Sequence, residues 1–194
     1  MADVFDIAAS ITGTAVFGAS IVAQVRTHRL RTHWTRSGLG VEECATGLAS
    51  IAAAPLLFPA ELETAQATGT ELAVLVMRRF TEHPEQFGRR LAASTRAHET
   101  GWRLDYDLFA VTIVVRDRDE AVLAAARIGH AACGEESSRD LRVGIAMCPV
   151  DATDLLDAAD IGMRRMRGFG LLDAVAVQLR AHDAVQPVSL VRPA

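Results

Sequence analysis

The sequence predicts an α/β domain, one mixed β-sheet flanked by helices and preceded by a single N-terminal hydrophobic helix. Three observations lead there. Residues 102–115 (WRLDYDLFAVTIVV) place a short extended arm and the β-branched run 109–115 on either side of an acidic tip, Asp105-Tyr106-Asp107. Val, Ile, Thr and Phe fill a pleated, buried surface, and Asp suits a tight turn, so this stretch reads as a hairpin inside a sheet. Residues 71–77 (ELAVLVM) and 141–147 (LRVGIAM) are short apolar runs of the kind buried on both faces, with amphipathic stretches between them. Residues 4–25 form a separate, nearly uncharged apolar segment.

Taken in order, residues 4–25 carry one charge, Asp6, and are long enough to span a bilayer, which takes roughly 20 apolar residues. Arg26, Arg29, Arg31 and Arg36 follow, with Trp34 among them. Basic residues after a span hold that side in the cytoplasm, and Trp suits the interface. Residues 1–25 are thus expected as a transmembrane helix and 26–42 as a basic juxtamembrane linker. The C-terminal domain, 43–182, is then cytoplasmic on a single-pass protein of the inner membrane. The alternative is a buried or self-associating helix. A secretory signal would put its positive charges before the apolar stretch, and here there are none. Gly13 and Gly18 would let two such helices approach closely.

Residues 42–62 are rich in Ala and Leu and predict a helix broken near Pro55, because proline removes a donor and clashes one turn back. Residues 84–98 predict an amphipathic helix with Pro84 in its first turn and Phe87, Leu91 and Thr95 on one face. Residues 119–130 predict a second helix. Asp151 is expected to cap a third that runs to Arg167, its Met163 and Met166 serving as core. Residues 174–179 (AVAVQL) read as a last strand and 183–194 as a flexible tail.

Composition narrows the function classes. Half the residues are apolar, so a real core is affordable. The net charge of -4, with no basic patch carrying interleaved aromatics, argues against nucleic acid as a partner. Every basic residue is Arg. Cys44, Cys133 and Cys148 are widely spaced, outside any CxxC or Cys/His pairing, and read as small buried hydrophobes in a reducing compartment. No Ser/His/Asp or Cys/His constellation is present; His98 reads as solvent-facing and His130 as a helix-end residue.

Several spaced motifs fall into one register. Residues 43–50 read E-C-A-T-G-L-A-S. Arg103-Leu104-Asp105-Tyr106-Asp107-Leu108-Phe109 leads into AVTIVV. Val143-Gly144-Ile145-Ala146 precedes a P-x-D-A-x-D-L-L turn from Pro149 to Leu156 and the stretch from Ala159 to Arg167. In order and spacing this resembles a GGDEF domain, the nucleotidyl cyclase-type fold whose active members are diguanylate cyclases. The resemblance covers residues 43–179. It implies a catalyst that joins two GTP molecules across a dimer, using two divalent metals held by carboxylates at the end of the first strand and in the R-x-G-G-D-E-F signature.

This chain departs from that pattern at the chemistry. The first strand should end D-x-D-x-F and reads Val76-Met77-Arg78-Arg79-Phe80; an apolar side chain cannot ligate Mg²⁺ and an Arg would repel it. The guanine- and ribose-binding stretch that should follow is shortened to residues 80–86, with no Asn-Asp pair. Asp105 and Tyr106 replace both glycines of the signature, filling space where backbone must approach a phosphate. Asp107 keeps one carboxylate, Leu108 replaces the next, and Phe109 is kept. Arg167 matches the family's phosphate-contacting Lys, while Leu171 replaces an Arg. Phosphoryl transfer depends on metals and positioned charge, so the expectation is a degenerate, catalytically inactive GGDEF-like domain with no cofactor, no metal and no catalytic residue. It would act as a membrane-anchored regulatory or protein-interaction module in cyclic di-GMP signalling, with a second copy or another protein as partner. An alternative is a cyclic di-GMP receptor, because Arg96-Ala97-His98-Glu99 sits where many family members carry a product-binding R-x-x-D. Arg96 would pair with phosphate and Glu99 read the guanine edge. The plainer alternative for the two residues is an exposed i,i+3 pair ending a helix. An active cyclase would rest on Asp107 alone.

Overall fold

The computed structural model describes residues 45–80, 83–134 and 140–185. The expected membrane helix over 4–25, the linker over 26–42 and Cys44 lie outside the described residues. Among those described, no helix is long and apolar enough to cross a membrane.

The chain opens with the short strand β1 (Ala49–Ser50), a 3-10 turn (Ile51–Ala53) and helix α1 (Ala54–Ala67). Then come β2 (Glu71–Arg79), α2 (Pro84–Ser94) and the hairpin of β3 (Thr100–Arg103) and β4 (Leu108–Val115). Helix α3 (Arg118–Cys133) leads to β5 (Leu141–Cys148), followed by α4 (Leu155–Arg164), β6 (Arg167–Gly168) and α5 (Phe169–Val185). The described strands form one sheet in the order β1-β3-β4-β2-β5-β6. It is mixed, because β1 runs parallel to β3 while the other neighbours are antiparallel.

Strand β2 lies at the centre, and its sequence shows why. Leu72, Val74 and Val76 belong to the cluster under α1 and α4, with Trp102, Phe58 and Leu155. Ala73, Leu75 and Met77 belong to the opposite cluster under α2, α3 and α5, with Phe87, Leu91, Ile128 and Phe169. A strand covered on both faces reads as a continuous apolar run, and each fully buried Leu, Val or Met contributes about 1.5–3 kcal/mol. A polar knot crosses the first layer. Buried Glu61 of α1 accepts hydrogen bonds from the hydroxyls of Thr100 and Thr112, the latter at 2.5 Å, and Trp102 donates its indole N–H to Thr112 at 3.1 Å. Burying a carboxylate demands such partners.

Glycines let α4 lie on the sheet at backbone range. A Cβ on Gly144 of β5 would stand 1.9 Å from the Gly162 carbonyl oxygen, and one on Gly162 would stand 2.4 Å from a Val76 methyl.

Several expected elements differ. Residues 174–179 are helix, the middle of α5, and not a strand. Of this stretch Ala176 is buried while Val175 and Val177 are exposed, so the alternating pattern has no buried face to serve. The period-2 run is too short to define a strand, and the surrounding Leu, Ala and Gln favour a helix. That helix docks by Phe169, whose ring fills the space beside Gly129 of α3. It runs to Val185, past residue 183 where the tail was expected to begin. Pro55 starts α1 instead of breaking it, since the first turn has no use for its missing N–H. Helix α2 ends at Ser94, well short of residue 98. Asp154, not Asp151, caps α4, accepting from the Asp157 amide at 2.9 Å, and that helix ends at Arg164. Cys133 and Cys148 are buried, as read from the sequence.

Candidate functional site

The register of β2 against β4 pairs Met77 with Phe109 and Arg78 with Leu108, so the end of the central strand lies beside the signature turn. Phe109 is wholly buried and meets the Phe87 ring edge-on at 5.3 Å between centroids. Leu108 packs half-buried on the α1/α4 cluster. Residues 104–107 form the tip. The amides of Leu104 and Asp105 donate to the Leu108 carbonyl at 2.9 and 3.1 Å. The Asp105 carboxylate accepts from the Tyr106 amide at 2.7 Å. Arg103 spans the loop, donating to the carbonyls of Asp105 at 3.3 Å and Tyr106 at 3.1 Å. No described non-glycine residue has positive φ, so Asp105 and Tyr106 close this turn through ordinary backbone and side-chain bonds, without the freedom glycine would give. Tyr106 points outward, 63% exposed.

The Asp107 carboxylate is already engaged. Arg78 Nε donates to Asp107 Oδ2 at 2.9 Å. A guanidinium from the end of β2 thus stands against the Asp107 carboxylate. Val76, two residues earlier, is fully buried in the core against α4. Among the described residues, no three His, Cys, Asp or Glu side chains converge to hold a metal.

Aromatic–cation contacts gather at this end of the sheet. Phe80 is 55% exposed, with Arg78 and Arg142 at 5.1 and 5.6 Å from its ring centroid. Arg103 lies 5.9 Å from the Tyr106 centroid and 3.7 Å from Glu85. The sequence marked Arg78 only as a lost carboxylate and Phe80 only as a motif position. Arg142 drew no attention, because cross-strand pairing of residues 78 and 142 was not readable from spacing. Arg167 does not join the tip; it is exposed on β6 and bonds the neighbouring Met166 carbonyl at 3.1 Å.

Arg96 and Glu99 are not an exposed helical pair. Both follow the end of α2, and they part company: Arg96 is exposed while Glu99 is 5% exposed. One Glu99 oxygen accepts from the Arg96 backbone amide at 2.8 Å, and the other is paired with the Arg127 guanidinium of α3. Arg127 also donates to the Ser94 carbonyl at 3.3 Å, tying the loop after α2 to α3. A buried carboxylate needs such a counter-charge, and one 28 residues away leaves no local signal. His98 is exposed; His130, in the last turn of α3, meets Asp173 of α5 at 2.9 Å.

A second charged pair sits at the far end of β5. Arg165 holds Asp151 with two guanidinium bonds, at 2.5 and 2.8 Å, and Asp151 also accepts from the Met147 amide at 2.7 Å. The Arg165 hydrogen bond keeps the Asp151 carboxyl below the usual range, and burial followed by the Asp151 charge pushes the Cys148 thiol up to about 11. A protonated, buried thiol is no nucleophile at neutral pH.

No family model matches the sequence, and no curated protein does. Solved structures do match in shape. A sensory box/GGDEF family protein from Caulobacter crescentus CB15 superposes with a TM-score of 0.50 at 18% identity, over 73% of this chain and 99% of that one. The isolated GGDEF domain of a Pseudomonas aeruginosa protein gives 0.49 at 22% identity, over 71% and 99%. A DGC protein from Thermotoga maritima gives 0.49 at 15% identity, over 64% and 100%. The chain has the α/β fold of GGDEF domains, a mixed sheet flanked by helices.

Proposed function

We propose that this chain is a catalytically inactive GGDEF-like domain, held at the membrane by residues 4–25, that works as a regulatory or protein-interaction module. The observation that carries the reading is the Arg78–Asp107 pair. Two-metal phosphoryl transfer needs carboxylates free to take Mg²⁺, and here the remaining one faces a guanidinium while Val76 fills the core where its counterpart would stand. The tip is closed by hydrogen bonds among its own residues. The receptor alternative, cyclic di-GMP at Arg96 and Glu99, is less well supported, because both Glu99 oxygens are engaged within the domain.

Incubation of the full chain with GTP and Mg²⁺ tests the reading. The expected outcome is no cyclic dinucleotide above a protein-free control. Product that disappears in Asp107→Ala would overturn it. In the same preparation, titration with cyclic di-GMP to tens of micromolar should release no heat; a saturable signal lost in Arg96→Ala would move the assignment to the receptor reading.

A further inference from the structure

Helix α5 turns a different kind of face outward from the other helices. Those expose charge: Glu63 on α1, Arg89 on α2, Asp119 on α3 and Asp160 on α4. Helix α5 docks through buried Phe169 and Ala176, and Asp173 leans towards α3, where it meets His130. At about 3.6 residues per turn, Leu171, Ala174, Val175, Val177, Gln178 and Ala181 fall together on the far side, and each is exposed. Asp173 and Arg180, the charged residues between 169 and 181, both lie outside that arc. A solvent-facing helix ordinarily carries its charges there, and one that is apolar all round has something covering it.

The composition of the arc says what suits it. It has no aromatic, Met or Arg side chain of the kind that anchors a protein interface, and no charge that asks for a counter-charge. A lipid boundary needs neither, since a helix lies in it by its apolar face. The chain before the domain puts such a boundary within reach. Residues 4–25 are the proposed anchor, and only 26–44 separate them from the described domain. A coil of roughly 20 residues averages about 25 Å end to end, against a radius of gyration of about 14 Å for a domain of this size. A tether that short keeps the domain at the bilayer, at an effective concentration where a modest apolar contact is enough.

We propose that the outer face of α5, over 171–181, lies on the membrane surface with its aliphatic side chains set into the headgroup boundary. Helix α5 packs on the same face of the sheet as α2 and α3, so docking this way turns the α1 and α4 layer away from the lipid. The domain would then be held in one orientation and not merely tethered. This rests on the membrane-anchor part of the proposed function and adds which face meets the bilayer.

Lipid-borne quenching of a fluorophore on the full chain is the test. The label goes on Val175→Cys in a Cys44→Ser background, Cys133 and Cys148 being buried, with Gln66→Cys on the exposed side of α1 as reference. The chain is reconstituted in phosphatidylcholine vesicles, some of whose acyl chains carry a nitroxide. Quenching at residue 175 should exceed that at residue 66 by about threefold or more, as expected for a face sunk about 5–10 Å into the boundary. Leu171→Glu should bring it down to the reference level. Ala174→Glu serves as the second variant should Leu171→Glu disturb the start of α5, with circular dichroism checking the fold of each. Equal quenching at the two positions overturns the proposal. So does a label at 175 that is shielded from water without being quenched by lipid, which would mean that protein covers the face. A salt wash of the same vesicles reads the anchor separately. A chain that resists the wash but shows no quenching at 175 keeps the anchor and loses the docking, while quenching in a chain that salt releases keeps the docking and loses the anchor.

Discussion

Cys148 and Asp151 lie three residues apart at the end of β5, and opposite causes set their ionisation. Asp151 is stabilised as an anion by Arg165, so its contribution to stability is present above the ordinary carboxylate range and fades as acid protonates it. Cys148 is held neutral, above all by burial. In the unfolded chain its thiol would ionise near 9.0, and in the folded chain near 11. Its contribution is therefore full below pH 9.0 and is lost as pH rises towards 11. Urea midpoints at neutral pH and across that alkaline window should show the wild type losing stability more steeply than Cys148→Ala. Equal alkaline slopes would remove the thiol as the cause. That the cysteine is a buried hydrophobe was legible in the sequence; the acid beside it was not, because Asp151 reads as a helix cap until Asp154 takes that place.

At the scale of elements, three contacts decide how the helices sit. Glu61 ties α1 to the β3–β4 hairpin, Arg127 ties α3 to the loop after α2, and the Gly144–Gly162 approach seats α4 on β5. The last is the least forgiving, because the obstacle is backbone and cannot rotate away. Gly144→Ala should cost about 3 kcal/mol or more by overpacking, lowering the Tm by roughly 10 °C for a domain of this size. Thermal denaturation checks it, and a shift within a degree or two of the wild type would mean that α4 slides freely. The strands were readable because each buried stretch, such as residues 109–115, carries β-branched side chains at its own positions. Residues 174–179 were misread because a short apolar run fits helix and strand alike. Packing settled that choice, with Phe169 of α5 seated against Gly129 of α3.

Across the whole molecule, an expected membrane segment precedes the domain. If residues 4–25 anchor the chain, it should stay in the membrane pellet after a high-salt wash and require detergent for release. Release by salt would point to a peripheral association instead. The sequence by itself determined the α/β class, the hairpin and the absence of carboxylates at Val76 and Arg78, because burial and residue identity are written position by position. Only the tertiary structure decided what stands in their stead. Arg78 reaches Asp107 across 29 positions, Glu99 turns inward to Arg127, and Arg142 comes beside Phe80. Those pairings follow from the strand register and helix docking of the whole sheet, and long-range charge partners leave no trace in local spacing.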